Sequence, residues 1–223
     1  MSYARRLHEV IEAHAPDPGL LARAGETARK YDAHSEGYDL TNPARKYFSP
    51  SRMARMLVRV VPDPELPVLD LACGTGLMGQ ALAGMGHRNM LGSDISPAML
   101  DAAREKAIYR DLTLADLHGP LPFPSESFAG IACVGAFYEG LVHPRALLHI
   151  LPLLRPEGWL ACDVERGAWI DVGLGRLLLA LQDAGLIDQL RIETGRLFAR
   201  GYLGPGEDDS ALEGRFVLAR RSA

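Results

Sequence analysis

The 223-residue chain is built from short apolar runs separated by segments in which apolar residues recur at helical spacing. Seven apolar runs predict buried strands, at residues 68–71, 89–94, 111–115, 128–135, 159–164, within 186–200, and at 214–220. The spacing around them predicts helices, over residues 45–61, 77–82, 97–107, 144–154 and 169–184. This alternation predicts a parallel sheet in an α/β fold, whose last strand closes an antiparallel hairpin.

Residues 1–42 precede this alternation and are predicted to form a helical lid, with residues 43–223 as the main domain. Helical spacing predicts one helix over residues 3–15 and a second over residues 20–30. Asn42 and Pro43 then form a preferred helix start, ahead of the helix at 45–61. Because these segments come before the sheet, we expect a lid or an oligomer contact.

The charge and the cysteine content of the chain indicate which partners and which cell compartment to expect. The net charge of −4 predicts no general affinity for nucleic acid or for acidic membranes. Cys73, Cys133 and Cys162 each lie in or beside an apolar run, and their spacing matches no metal site. Because the three thiols are expected to be buried and are odd in number, they favour a protein from a reducing compartment. We therefore expect a cytoplasmic protein without a membrane span or a metal, either a monomer or a homodimer.

A glycine-rich loop between the strand at 68–71 and the helix at 77–82 is the main candidate for ligand binding. Gly74, Gly76 and Gly79 match G-x-G-x-x-G, and Asp94 follows at the distance of a ribose-binding acid. This pattern keeps a dinucleotide-binding protein, an NAD(P)-dependent oxidoreductase, as an alternative.

Asp70, at the end of the first strand, favours a different ligand. An unpaired carboxylate beside the loop would repel a pyrophosphate and attract a cation. S-adenosyl-L-methionine (SAM) carries a sulfonium and no phosphate. The acid therefore favours SAM over a dinucleotide.

The run from Asp70 to Gly76 resembles the first motif of the class I SAM-dependent methyltransferases. Tyr31-Asp32 and Tyr38-Asp39 are similar to the N-terminal segment of small-molecule methyltransferases, and with the C-terminal half they resemble the Williams–Beuren-region methyltransferase-like group. The resemblance implies a Rossmann-like, seven-stranded, mostly parallel sheet with an antiparallel last strand. It also implies SAM as cofactor and S-adenosyl-L-homocysteine (SAH) as product. The implied cofactor-binding residues are Tyr31, Tyr38, Asp70, Ala72, Gly74, Thr75, Gly76, Met78, Asp94, Ile95, Asp116, Leu117, Val134 and Gly135.

The predicted function is methyl transfer from SAM to a small-molecule acceptor, at an O, N, S or C atom that the sequence does not define. No nucleic-acid or membrane partner is expected. Methyl transfer depends mainly on placing the nucleophile, so the catalytic residues carry no short motif. Acceptor-side candidates are His34, Tyr138, His143, Glu165 and Trp169. A SAM-binding protein without transfer activity is a second alternative.

Overall fold

A computed structural model describes residues 2–15, 29, 31–32, 47–138, 140–198 and 213–223. Its centre is a seven-stranded sheet in the order β3-β2-β1-β4-β5-β7-β6. The strands are β1 (Val68–Leu71), β2 (Met90–Asp94), β3 (Asp111–Leu114), β4 (Phe128–Phe137), β5 (Leu154–Glu165), β6 (Ile187–Arg196) and β7 (Glu213–Arg221).

Strands β1 to β5 pair in parallel, whereas β7 lies antiparallel between β5 and β6. This confirms the predicted α/β sheet with an antiparallel last strand. The chain runs outward from β1 to β2 and β3 on one side, and then returns to place β4 on the other side. Such a reversal of strand order opens a crevice at the carboxyl ends of the strands, where ligands bind in open α/β sheets.

Helices cover both faces of the sheet. They are α1 (Tyr3–His14), α2 (Ser49–Val60), α3 (Leu77–Gly84), α4 (Pro97–Glu105), the single turn α5 (Leu147–Ile150), α6 (Arg166–Ile170) and α7 (Leu174–Asp183). Side chains alternate along β1, so Leu69 and Leu71 pack with α1 and α7, while Val68 packs with α2 and α3. The three cysteines are free and buried. Of the helices described, none has the length and apolarity that a bilayer crossing needs.

Three predicted boundaries differ from the structure. Helix α2 begins at Ser49 with Pro50 in its first turn, and residues 47–48 before it are not helical. The predicted helix over 169–184 is two helices, because Gly173 adopts a left-handed φ of 83° between α6 and α7. The predicted helix over 144–154 shrinks to α5 between two 3-10 turns, and β5 begins already at Leu154. The predicted cap at residues 42–43 lies outside the described residues.

Helix α1 packs into the core. Leu7 and Ile11 are buried in the same apolar cluster as the α7 leucines, and neither residue lines the cavity described below. The predicted second helix, over residues 20–30, lies almost entirely outside the described residues. A lid formed by residues 1–42 therefore stays a prediction.

Candidate active site

The loop after β1 has the backbone shape of a ligand cradle. Ala72, Gly74 and Gly76 all have positive φ, at 52°, 54° and 92°. The loop is held from below, because the Cys73 amide donates to the Ser93 carbonyl on β2 at 2.9 Å. Gly76 is the N-cap of α3, so the free N–H groups of that helix face the loop.

A cavity of about 930 Å³, including the space open to solvent, lies at the carboxyl ends of β1, β2, β3 and β4. Most of the predicted cofactor residues line it: Tyr31, Ala72, Gly74, Thr75, Met78, Asp94, Ile95, Asp116, Leu117, Val134 and Gly135. Tyr38 lies outside the described residues. The structure thus brings together residues from four strand ends that the sequence scatters over more than a hundred positions.

Asp94, at the end of β2, is held in the cavity by two backbone amides. One carboxyl oxygen accepts from the Gly74 amide at 2.8 Å and the other from the Ser96 amide at 2.9 Å. Burial raises the pKa of Asp94, and these amide donors oppose that rise. A carboxylate oxygen accepts more than one hydrogen bond, so Asp94 keeps lone pairs for a ligand hydroxyl.

Asp116 and His118 form a second polar group beyond the end of β3. Asp116 Oδ1 accepts from the His118 amide and from the His118 ring Nδ1, both at 3.0 Å. His118 Nε2 in turn accepts from the His143 amide at 3.3 Å. Both Asp116 and His118 line the cavity. Sequence reasoning missed His118, although a histidine two residues after a predicted ligand acid was a usable signal.

Two of the predicted cofactor-binding residues need correction. Asp70 and Gly76 are not among the described residues that line the cavity. Asp70 points beneath the loop, where its Oδ2 accepts from the Tyr109 hydroxyl at 2.6 Å. Burial raises its pKa to about 7. The side chains of β1 alternate between the two faces, so the carboxyl group that precedes the loop turns into the core instead of the crevice. Gly76 shapes the loop by its left-handed backbone.

The acceptor-side candidates do not come together around the described cavity. His143 is buried and caps a 3-10 turn by accepting from the Arg145 amide. Glu165 ends β5 and is the N-cap of α6, and Trp169 packs over Gly175. Tyr138 directly follows the last residue of β4. None of these four side chains, His143, Glu165, Trp169 and Tyr138, lines the cavity. His34 lies outside the described residues.

Asp163 was missed by sequence reasoning. It lies on β5 with no exposed surface, and its Oδ1 accepts from the Gly135 amide at 2.6 Å. The hydroxyls of Tyr138 and Tyr47 approach its Oδ2 at 3.2 and 3.4 Å. Burial raises its pKa. An acid inside an otherwise apolar strand was the signal that could have found it.

A sheet of this order, with a glycine loop after β1 and an acid at the end of β2, defines the Rossmann-like class I methyltransferase fold. Residues 68–158 match the family described as "Methyltransferase domain". Residues 68–158 are therefore similar to the class I SAM-dependent methyltransferases, as the resemblance of residues 70–76 predicted. The domain match and the fold imply SAM as the cofactor, and they favour it over a dinucleotide.

Two curated relatives illustrate the similarity. Methyltransferase-like protein 27 of Homo sapiens is 34% identical over 141 residues, which cover 61% of this chain and 56% of that protein. An 18S rRNA (guanine-N(7))-methyltransferase of Bos taurus is 39% identical over 105 residues, 43% of this chain and 37% of that protein. The chain therefore matches only about a third to a half of the length of these relatives.

Among solved structures, the methyltransferase bound to the Trm112 activator of Haloferax volcanii superposes with a TM-score of 0.64. It is 19% identical, and the match covers 88% of this chain and 97% of that one. At this identity the likeness shows the fold alone.

The predicted partners are wrong. Sequence reasoning expected a small-molecule acceptor and no nucleic acid, yet several of the relatives are named as rRNA methyltransferases, and one fold neighbour is solved in complex with a protein activator. A net charge of −4 describes the whole chain, and it does not report the local surface around the crevice.

Proposed function

We propose that the protein transfers a methyl group from SAM to an acceptor bound at the mouth of the cavity. The observation that carries this is Asp94, a buried carboxyl group that lines the cavity and is held by the Gly74 and Ser96 amides. When bound, SAM supplies an activated methyl group and leaves as SAH.

The residues present fit such a cofactor. Asp94 has lone pairs for the ribose hydroxyls, and Asp116 has a carboxyl oxygen that can accept from the adenine amino group. Met99, Ala115 and Leu117 offer apolar surface for the adenine ring. The left-handed glycines let the backbone approach the rest of the molecule closely.

Tyr31 is proposed to border the cofactor from the N-terminal segment. Its ring lines the cavity although it precedes the sheet in sequence, which supports a covering role for residues 1–42. An aromatic face attracts a cation such as a sulfonium. Tyr31→Ala should weaken SAM binding about threefold, measured by calorimetry; an unchanged affinity would return Tyr31 to a packing role.

Calorimetry with SAM, SAH and NADH tests the proposed cofactor. SAM and SAH should bind with micromolar affinity and NADH should not. NADH binding in the absence of SAM binding would overturn the proposal.

Transfer itself is tested with SAM carrying a labelled methyl group. The names of the relatives make RNA that contains unmethylated guanine the first acceptor to supply, with and without a Trm112-type activator protein. A broad set of small nucleophiles forms the second arm. Label in either arm supports transfer, whereas SAM binding with no labelled product in any arm would identify a binding protein without transfer activity.

A further inference from the structure

A histidine on the cavity wall holds one of the predicted cofactor-binding acids. His118 and Asp116 lie in the turn that follows β3, both are half-buried, and both line the cavity. The Ala115 amide donates to the Asp94 carbonyl at 2.9 Å, which ties the turn to β2. The Gly119 amide closes the turn by donating to the Asp116 carbonyl at 3.2 Å. The backbone therefore fixes where the Asp116 side chain begins, and its side-chain contacts decide how the carboxyl group is turned.

The hydrogen bonds of the His118 ring assign its proton. Its Nε2 lies 3.3 Å from the His143 amide nitrogen, and because an amide N–H donates, Nε2 is the acceptor. The proton of the ring is therefore on Nδ1, which lies 3.0 Å from Asp116 Oδ1 and donates to it. His118 thus joins the turn after β3 to the segment after β4, whose Leu141 and Val142 line the same cavity.

Both hydrogen bonds to the Asp116 carboxyl group reach the same oxygen. Oδ1 accepts from the His118 amide and from His118 Nδ1, each at 3.0 Å. Two donors on one oxygen resist rotation of the carboxyl group about its Cβ–Cγ bond. Within the part of the chain that the structure describes, no donor reaches Oδ2, and 38% of the side-chain surface is exposed. Oδ2 therefore keeps its lone pairs for a ligand.

The amino group of adenine is a donor that this oxygen can recognise. The proposed function places the adenine beside Asp116, and the inference rests on that placement. Hypoxanthine has a carbonyl oxygen where adenine has the amino group, and an N–H on the neighbouring ring nitrogen. A carboxylate oxygen held against that carbonyl is repelled and left without a donor. A carboxyl group that rotates can accept from the ring N–H instead, so rejection of hypoxanthine requires that the carboxyl group be held.

We propose that His118 is the positioning residue for recognition of the base. By donating from Nδ1, it holds the Asp116 carboxyl group in the orientation that accepts from the amino group of adenine and rejects hypoxanthine. The amide of His143 contributes by keeping the ring proton on Nδ1. His118 acts through Asp116 and does not need to touch the base.

The test compares SAH with S-inosylhomocysteine, which carries hypoxanthine in place of adenine, by calorimetry. The wild type should bind SAH about 30-fold more tightly, because a site that hydrogen-bonds an N–H of its ligand rejects an analogue without it. The ratio of two affinities on one variant is the readout, since partial unfolding lowers both affinities by the same factor.

His118→Asn and His118→Gln form a matched pair. The amide nitrogen of Asn stands near the place of Nδ1 and keeps a donor for Asp116, whereas the amide of Gln stands near the place of Nε2 and keeps an acceptor for the His143 amide. His118→Asn should keep the preference for SAH within about twofold of the wild type, and His118→Gln should reduce it to about fivefold or less. Equal preferences in the two variants, or a lower preference in His118→Asn, would overturn the proposal.

Asp116→Asn provides a second measurement. Its amide can donate to the hypoxanthine carbonyl, so this variant should lose most of the preference for SAH. Because His118 acts through Asp116, adding His118→Gln to Asp116→Asn should change the preference by less than about twofold. A reduction as large as in the wild-type background would contradict the proposal.

Failure of the proposed function is a separate result. If the wild type binds neither SAM nor SAH, the proposed function fails. If the wild type binds SAH and S-inosylhomocysteine equally well, the cofactor site stands and the role of His118 in base recognition is refuted.

Discussion

Three buried aspartates near the carboxyl ends of parallel strands differ in what their carboxyl groups contact. Asp94 on β2 is held by two backbone amides, Asp163 on β5 by an amide and two tyrosines, and Asp70 on β1 by the Tyr109 hydroxyl. Burial raises the pKa of each. Sequence position alone cannot separate them, because all three are acids at the carboxyl end of an apolar strand.

Asp94→Ala should weaken the binding of both SAM and SAH by about 10- to 100-fold, because hydrogen bonds to a charged group are lost inside a water-excluded site. Asp111→Ala is the matched control, since that carboxyl group is exposed at the start of β3 and, among the described residues, accepts a hydrogen bond only from the Leu112 amide. Calorimetry on both variants measures the effect. Equal affinities in Asp94→Ala and the wild type would remove Asp94 from the site.

Asp70 predicts a pH dependence of stability. Its pKa is about 7 in the folded protein and near 4 in the unfolded chain, so the folded state holds the extra proton between these values. The contribution of Asp70 to stability is therefore complete below about pH 4 and is lost as the pH rises through 7.

Replacing Asp70 with Asn removes that dependence. The free energy of unfolding of Asp70→Asn minus that of the wild type should increase by about 2–4 kcal/mol from pH 4 to pH 7, because only the wild type loses stability over this range. Urea denaturation at both values measures it. A difference between the two proteins that stays constant with pH would mean that Asp70 titrates normally.

The strand, loop and helix around the cavity are held together by Tyr109. Its hydroxyl reaches Asp70 beneath the loop, and its ring fills the space over Gly79 of α3. A Cβ on Gly79 would lie 2.2 Å from the Tyr109 oxygen. The third glycine of the G-x-G-x-x-G pattern is therefore explained by packing against a side chain thirty residues further along the chain, and not by a phosphate.

Gly79→Ala should destabilise the protein by about 2–3 kcal/mol, because Tyr109 must move and its bond to the buried Asp70 is lost. Gly84→Ala tests helix propensity in the same helix, since nothing lies within 4 Å of its Cβ position. That variant should be neutral or up to about 1 kcal/mol more stable. Thermal or urea unfolding measures the stability of both variants. Similar free energies of unfolding for the two variants would contradict the steric explanation for Gly79.

Sequence patterns located the elements better than they located the side-chain environments. The seven strands and the loop follow from local apolar runs and glycines, so each was located from the sequence, although β5 begins five residues before its predicted start and β6 was predicted only within a wider segment. The break at Gly173 depends on a left-handed backbone, and it was missed because Ile170 stands four residues before Leu174, at the spacing of a continuous helix. The direction of Asp70 and the contacts of Asp163 arise from residues distant in sequence, which no local pattern records.

Helix α1 joins the beginning of the chain to its C-terminal half. The Tyr3 hydroxyl donates to the Leu186 carbonyl at 3.3 Å, Arg6 donates to the Ala184 carbonyl, and Glu12 pairs with Arg145. The Arg221 guanidinium lies 4.1 Å from the centre of the Tyr3 ring. Burial raises the pKa of Tyr3 to about 12. These contacts make α1 a structural part of the sheet's cover, remote from the cavity.

Ile11→Ala tests whether α1 stabilises the fold or acts as a lid over the cavity. Ile11 has no exposed surface, so its truncation should cost about 2–4 kcal/mol of stability. Glu9→Ala, on the exposed face beside Arg5, should cost less than about 1 kcal/mol. Because α1 does not line the cavity, Ile11→Ala should bind SAM as tightly as wild type at a temperature where both are folded. If SAM affinity fell while urea stability stayed unchanged, α1 would act as a lid, and the first fifteen residues would have to reach the cavity in the bound state.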